Sequence, residues 1–268
     1  LLTNAEWCAV AHLCEKRGRR PGGNTNKGSD FYDPQAKGIP AQGGHRIDTD
    51  ITERTLTGTG PENWSHDGTA AGIYDLVGNV WEQIAGLRLV DGEIQILPDN
   101  DSALGVDEGP DSGLWRAVAK DGALVRPGSP GTCKYDSVSE GTPSREITTL
   151  PGGFVLGTEV KRPQYTGDDP AADGAYAVMP LRELKTADGS APAQLLLQLG
   201  LAPVSADIPE HFFFLRNYGE RIPQRGGSWY DIKFAGLWEL YIRDNREYVY
   251  PDMGFRAAYL APDVDMNF

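Results

Sequence analysis

Basic charge, thiols and long apolar runs are all scarce in this chain of 268 residues. Its 25 Lys and Arg are outnumbered by 38 Asp and Glu, a net charge of −13, which argues against a nucleic-acid partner. No apolar run approaches the ~18 residues that a membrane-spanning helix needs, so direct membrane insertion is not expected. No signal peptide is visible, and the chain opens on Leu1 rather than Met, which leaves an upstream address or anchor open. The three cysteines, Cys8, Cys14 and Cys133, include no C-x-x-C pair, so neither a zinc knuckle nor a thioredoxin-type site is signalled. Cys8 and Cys14 fall on one predicted helix about 240° apart around its axis, a poor geometry for pairing. The four histidines, His12, His45, His66 and His211, form no H-E-x-x-H motif or cluster, and the serine-nucleophile elbow and phosphate loop are missing too. No catalytic residue, metal ligand or cofactor is expected.

What the chain does have is punctuation: 33 Gly and 19 Pro, which keep helices few. One helix is expected over residues 4–17. Thr3-Asn4-Ala5-Glu6 reads as a capping box, Trp7, Val10, Ala11 and Cys14 as its apolar stripe, and Gly18 as its end. A second helix is expected near 192–199, with Ser190 before it and Gly200 after. Residues 19–60 read as ordered loop. Short apolar runs at Leu114–Val118, Gly153–Leu156 and Ala175–Met179, separated by turn residues, predict short strands. Seven acidic residues and no basic one lie between Asp91 and Asp111, without the spacing of a calcium hand, and read as a solvated edge. The expected class is α+β in a single domain over 1–268.

The most informative stretch is C-terminal. Positions 230–252 hold four of the chain's 11 tyrosines, where an even spread would place about one. Tyr248, Tyr250 and Asp252 alternate with Val249, Pro251 and Met253, so the two tyrosines share a side if the backbone is extended.

Three segments together resemble domains of the formylglycine-generating-enzyme type, also known as sulfatase-modifying factors. They are Leu2-Thr3-Asn4-Ala5-Glu6-Trp7, then Gly72-Ile73-Tyr74-Asp75-Leu76-Val77-Gly78-Asn79-Val80-Trp81-Glu82, then Arg225-Gly226-Gly227-Ser228-Trp229 with Gly254-Phe255-Arg256. The resemblance implies a C-type-lectin-like fold of that subtype, with short twisted strands, few helices and long loops, and leaves 92–215 as an insertion-like region. It casts Trp81 as a core residue and the glycines as sites of close backbone approach. The enzymes of the family place two copper-binding cysteines between the two parts of the third landmark, after the Gly-Gly-Ser and before the Gly-Phe-Arg, whereas residues 226–256 here contain none. Thiolate cannot be replaced by Tyr or Asp without losing affinity for a soft metal, so a divergent oxidase is the weaker alternative. The sugar-binding triplets of calcium-dependent lectins are also absent.

One branch matches better. Variable proteins of diversity-generating retroelements, prokaryotic or viral, close on a similar segment. Ala235-Gly236-Leu237-Trp238, Leu240 and Arg246 occupy its fixed places, with Glu239 where that branch carries Ala. The resemblance implies a variable, ligand-binding segment within 225–256 made of Tyr230, Asp231, Ile232, Phe234, Tyr241, Arg243, Asp244, Tyr248, Tyr250 and Asp252. A solvent-facing display of Tyr, Asp and Arg is what binding surfaces use, because Tyr offers large contact area with few torsions to freeze. The expectation is a non-enzymatic receptor or adhesin at a cell surface or on a virion, whose partner is a protein or surface ligand.

Overall fold

The computed structural model describes residues 1–41, 46–47, 50–51, 53–203 and 211–258. The fold is mixed α+β, mostly short strands in two larger sheets with few helices. Helix α1, Asn4–Lys16, starts as its sequence dictates. Thr3 Oγ1 accepts from Glu6 N at 3.1 Å and Glu6 Oε2 accepts from Thr3 N at 2.9 Å, which satisfies two otherwise orphaned donors. Its end is equally legible. Gly18 takes φ +63°, its N–H bonds Glu15 O, and Arg19 N–H reaches back to Cys14 O, the paired bonds of a left-handed cap. Trp7, Cys8, Ala11 and Cys14 are buried. Helix α2 spans only Gln194–Gln198, shorter than expected. Ser190 does not cap it: the cap position falls on Ala193, and the Ser190 hydroxyl donates to Asp188 at 2.7 Å. All three cysteines are free and buried.

One seven-stranded sheet runs Met253–Phe255, Trp81–Gln83, Gln224–Gly226, Gly236–Ile242, Phe212–Leu215, Ala175–Pro180, Thr148–Leu150. The other sheet contains Leu87–Val90, Glu93–Ile96, Arg116–Val118, Leu124–Val125, Lys134–Ser137, Phe154–Gly157 and Glu220–Arg221. Three of these strands, Arg116–Val118, Phe154–Gly157 and Ala175–Pro180, fall on the apolar runs picked out in the sequence. Between the sheets and α1 lies the main core. It draws Trp7, Leu76 and Leu240 from the motif segments together with Ile94, Tyr135, Phe154 and Phe213 from 92–215. The sheet residues facing it are mostly aliphatic or aromatic and almost fully buried, Arg225 being a charged exception.

The segments singled out in the sequence, although far apart along the chain, meet in space. Arg225 pairs in register with Glu82 on one side and Leu240 on the other, and Gly254 also pairs with Glu82. Leu2 N donates to Arg256 O at 2.8 Å, and the Arg256 guanidinium forks onto Glu82 at 2.6 and 3.0 Å. A register break follows Arg225, since Gly226 pairs with Gly236. The carbonyls this break releases are taken by side chains: Trp7 Nε1 donates to Leu237 O at 2.8 Å and Arg225 Nη1 to Trp238 O at 3.3 Å. Arg225, fully buried, also donates to Asn4 Oδ1 and Leu199 O. The glycines are needed here. Gly227 sits at φ +86°, and a Cβ on it would lie 2.4 Å from that of Ala235.

Candidate functional site

Cross-strand partners share a face of a sheet, and one row of the first sheet crosses six strands as Val178, Phe214, Tyr241, Gln224, Gln83 and Phe255. The row lies on the face turned away from the main core. Around it an aromatic layer builds up. Trp81 lies 6.1 Å from Phe214 and 5.2 Å from Tyr241, ring centre to ring centre, and Phe214 lies 5.5 Å from Tyr241. Phe234 adds to it at 4.6 Å from Phe212. Trp81 is buried as expected, but in this outer layer and not in the main core cluster.

Two loops frame this face, and each is tied down by backbone bonds. In the first, Asp231 Oδ2 accepts from Ser228 N at 2.7 Å and Ser228 Oγ at 2.6 Å. Trp229 N donates to Asn79 O, and Lys27 N to Trp229 O. In the second, Ile222 N donates to Asp244 O, Met253 N to Tyr250 O, and Trp81 N to Asp252 O. Arg246 holds its outer turn by forking onto Glu220 at 2.9 and 3.0 Å. The two loops join where Tyr230 Oη donates to Asp252 Oδ2 at 2.5 Å.

The ten residues picked from the sequence take different positions. Tyr230 and Tyr250 are exposed, by 41% and 37%. Tyr248 is half-buried, and its ring stacks on that of Tyr250 at 6.0 Å and 16°. Val249 between them points away, 87% exposed. Phe234, Tyr241 and Arg243 are half-buried in the aromatic layer, with the Arg243 guanidinium 4.4 Å from the Tyr176 ring and 4.6 Å from the Tyr241 ring. Asp244 and Asp252 do not face solvent as expected, being only 2% and 6% exposed. The reason for Asp244 is ionic: it lies 3.4 Å from the fully buried Arg216 and 3.8 Å from Arg243, and Arg216 is shared with Asp173 at 2.8 Å. Asp244 therefore positions Arg243. Asp231 is also turned inward, as the acceptor that shapes its own loop.

Ile232 is not brought to this face. It lines a cavity of about 500 Å³ with Arg20, Tyr32, Val77, His211 and Leu237. Its φ of +51° is unusual for a β-branched residue, and its N–H is held by Thr25 O at 2.9 Å. Beside that cavity, buried Glu239 accepts from Phe212 N at 2.6 Å and lies 3.6 Å from His211 Nδ1. The residues that the sequence reading missed are Trp81, Tyr176, Phe212 and Phe214. A signal existed: Phe212-Phe213-Phe214-Leu215 is apolar at every position, so neither face of that strand is polar.

Burial, and after it the charge of Asp252, push the Asp231 carboxyl up to about 6, against the donors from Ser228 and Trp81. Burial likewise raises Asp252 and Asp244. Burial, then the charges of Asp244 and Asp252, push the Tyr248 hydroxyl up to about 12. His211 is driven down to about 3 by burial and by Arg20 and Arg225. Burial raises all three thiols, Cys133 to about 11, so none is set up as a thiolate. Among the described residues no three His, Cys, Asp or Glu side chains gather as a metal-binding group, and no helix is long and apolar enough to cross a membrane. The chain matches no protein-family model and no curated protein.

Proposed function

We propose that this chain is a non-enzymatic ligand-binding protein with a C-type-lectin-like fold of the formylglycine-generating-enzyme subtype. In this reading it is the variable protein of a diversity-generating retroelement, a receptor or adhesin at a cell surface or on a virion. One observation carries the proposal: the loops around Tyr230 and Tyr248–Tyr250 close over a single aromatic face, while rigid backbone bonds hold their ends. Binding surfaces of this composition work by anchoring a few aromatic and Arg side chains, each contributing about 2 kcal/mol or more on truncation. The fold assignment draws support from the meeting of Asn4, Glu82, Arg225 and Arg256 at one place, since those residues come from the three segments that carry the resemblance. The non-enzymatic reading draws support from the placement of the thiols, all buried and all outside residues 226–256.

The test uses a phage-displayed random-peptide library, panned against the protein and against the double variant Tyr248→Ala/Tyr250→Ala. Peptides enriched on the wild type should bind it at micromolar Kd or better and lose at least about tenfold on the variant. Peptides that bind both alike, or a variant that no longer folds, would overturn the assignment of the site. For the retroelement reading, the gene should lie beside a reverse transcriptase and a near-copy of its own 3′ coding segment.

A further inference from the structure

We infer that this surface contains a cation subsite, in which Tyr230, Tyr248 and Tyr250 grouped about Asp252 receive a Lys or Arg side chain presented by a protein partner. The inference rests on the ligand-binding reading above and specifies its chemistry. Asp252 is buried, takes its hydrogen bond from the Tyr230 hydroxyl and lies near enough to Tyr248 for its charge to raise that hydroxyl. Three carboxylates near the two loops have guanidinium partners within 4 Å: Glu82 has Arg256, Glu220 has Arg88 and Arg246, and Asp244 has Arg216 and Arg243. Asp252 and Asp231 have none within 4 Å among the described residues, and Asp252 feels Arg243 only from beyond ion-pair distance. Their donors are hydroxyl and backbone groups, together with the Trp81 side chain in the case of Asp231.

The local balance of charge follows. Asp173 and Asp244 are matched by Arg216, Arg221 and Arg243, whereas Asp231 and Asp252 make no ion pair within 4 Å among the described residues beside the tyrosine rim. Arg243 is not free to take an anion, because Asp244 and the rings of Tyr176 and Tyr241 hold it. The net charge of −13 acts in the same direction at long range. A buried carboxylate with no counter-ion in contact is costly, and an incoming ammonium or guanidinium group relieves that cost while the ring faces attract it. Stacked Tyr248 and Tyr250 offer a flat apolar surface for the methylene stem of such a side chain.

Three synthetic peptides provide the probe: one with two lysines, the same peptide with both lysines acetylated, and one with glutamates in their place. The lysine peptide should bind at least about tenfold tighter than the acetylated one, and the glutamate peptide weakest. The preference should shrink to about threefold or less in Tyr250→Ala and in Asp252→Asn. Should Asp252→Asn fail to fold, the exposed Tyr250 variant and the acetylated probe decide the matter with the protein otherwise intact. Equal binding of the lysine and acetylated peptides would overturn the cation subsite, as would capture by phosphatidylcholine vesicles with no response to the lysine peptide. The library separates the two proposals. Tyr248- and Tyr250-dependent binders without Lys or Arg end the cation subsite and leave the ligand-binding surface standing, whereas no such binder at all ends both.

Discussion

The two faces of the seven-stranded sheet containing Gly236–Ile242 use the same strands for opposite ends. On the inner face Phe213, Leu215, Leu240 and Ile242 are sealed in the main core. On the outer face Phe214 and Tyr241, their immediate neighbours in sequence, remain half-buried beneath two loops. The inner face is closed by α1 and the second sheet, so its side chains have no freedom left and any loss of volume leaves a cavity. The outer face is bounded only by loops. Its aromatic rings touch one another at 5–6 Å, and Phe214 and Tyr241, unlike buried Trp81, stay partly exposed. Charged groups follow the same division. Arg225, on the inner side, spends its donors on Asn4, Leu199 and Trp238, whereas Arg243, on the outer side, lies against two tyrosine rings. With the inner face fixing the strands, the outer one can carry half-buried rings without loss of the fold.

The comparison breaks first at Arg225. Replacing it with Met should cost about 3 kcal/mol or more in urea unfolding, because the amide oxygen and carbonyls it satisfies are left buried without donors. Retention of wild-type stability would show that water or repacking can replace the guanidinium. A sharper contrast uses adjacent residues. Phe213→Ala should lose about 3–5 kcal/mol and Phe214→Ala about 1–2 kcal/mol, since only the first opens a closed cavity. Equal losses would mean that both faces are core.

A third measurement follows from Asp231. Its carboxyl is raised to about 6 by burial, so the folded state holds a proton more tightly than the unfolded chain, whose carboxyl titrates near 3.9. Its contribution is therefore fully present below about pH 4 and is lost as pH rises through about 6. Between pH 7 and pH 4 the wild type should gain about 1–3 kcal/mol relative to Asp231→Asn. His211, held at about 3, acts with the opposite sign over this range, losing stability as pH falls below its unfolded value near 6.5. It is common to both proteins and cancels in the difference. No difference in slope between the two proteins would mean that Asp231 is solvated. The smallest effect on stability is expected from Tyr248→Ala/Tyr250→Ala, within about 0.5 kcal/mol per site by thermal unfolding, alongside the largest effect on peptide binding. A loss of about 3 kcal/mol at each site would assign the pair to the core.

Local signals were enough for local structure. The capping box at Thr3 and Glu6, the left-handed stop at Gly18 and the alternation of Tyr248, Val249 and Tyr250 all act between residues within a few positions of each other, so the chain carries them without its fold. α2 shows where that reasoning stops. Ser190 has the right chemistry for a cap, but the helix starts three residues too late for it, with Ala193 at the cap position.

What the sequence determined by itself was therefore the residue inventory: a Tyr- and Asp-rich C-terminal segment, glycines where the backbone turns left-handed, and too few thiols in that segment for a copper pair. The sides on which those residues lie were decided by tertiary structure. Asp244 was chosen as a contact residue because its type fits, yet its position is set by Arg216, 28 residues earlier, and through it by Asp173. Trp81 has the composition of a core residue, but its strand pairs so that the ring joins Phe214 and Tyr241 on the outer face. Ile232 sits within the same segment as Tyr230 and ends in a different cavity, because its N–H is taken by Thr25 more than 200 positions away in the chain. In each case the deciding partner is distant in sequence. Burial and ion pairing depend on which strands become neighbours, and that information does not reside in any local stretch.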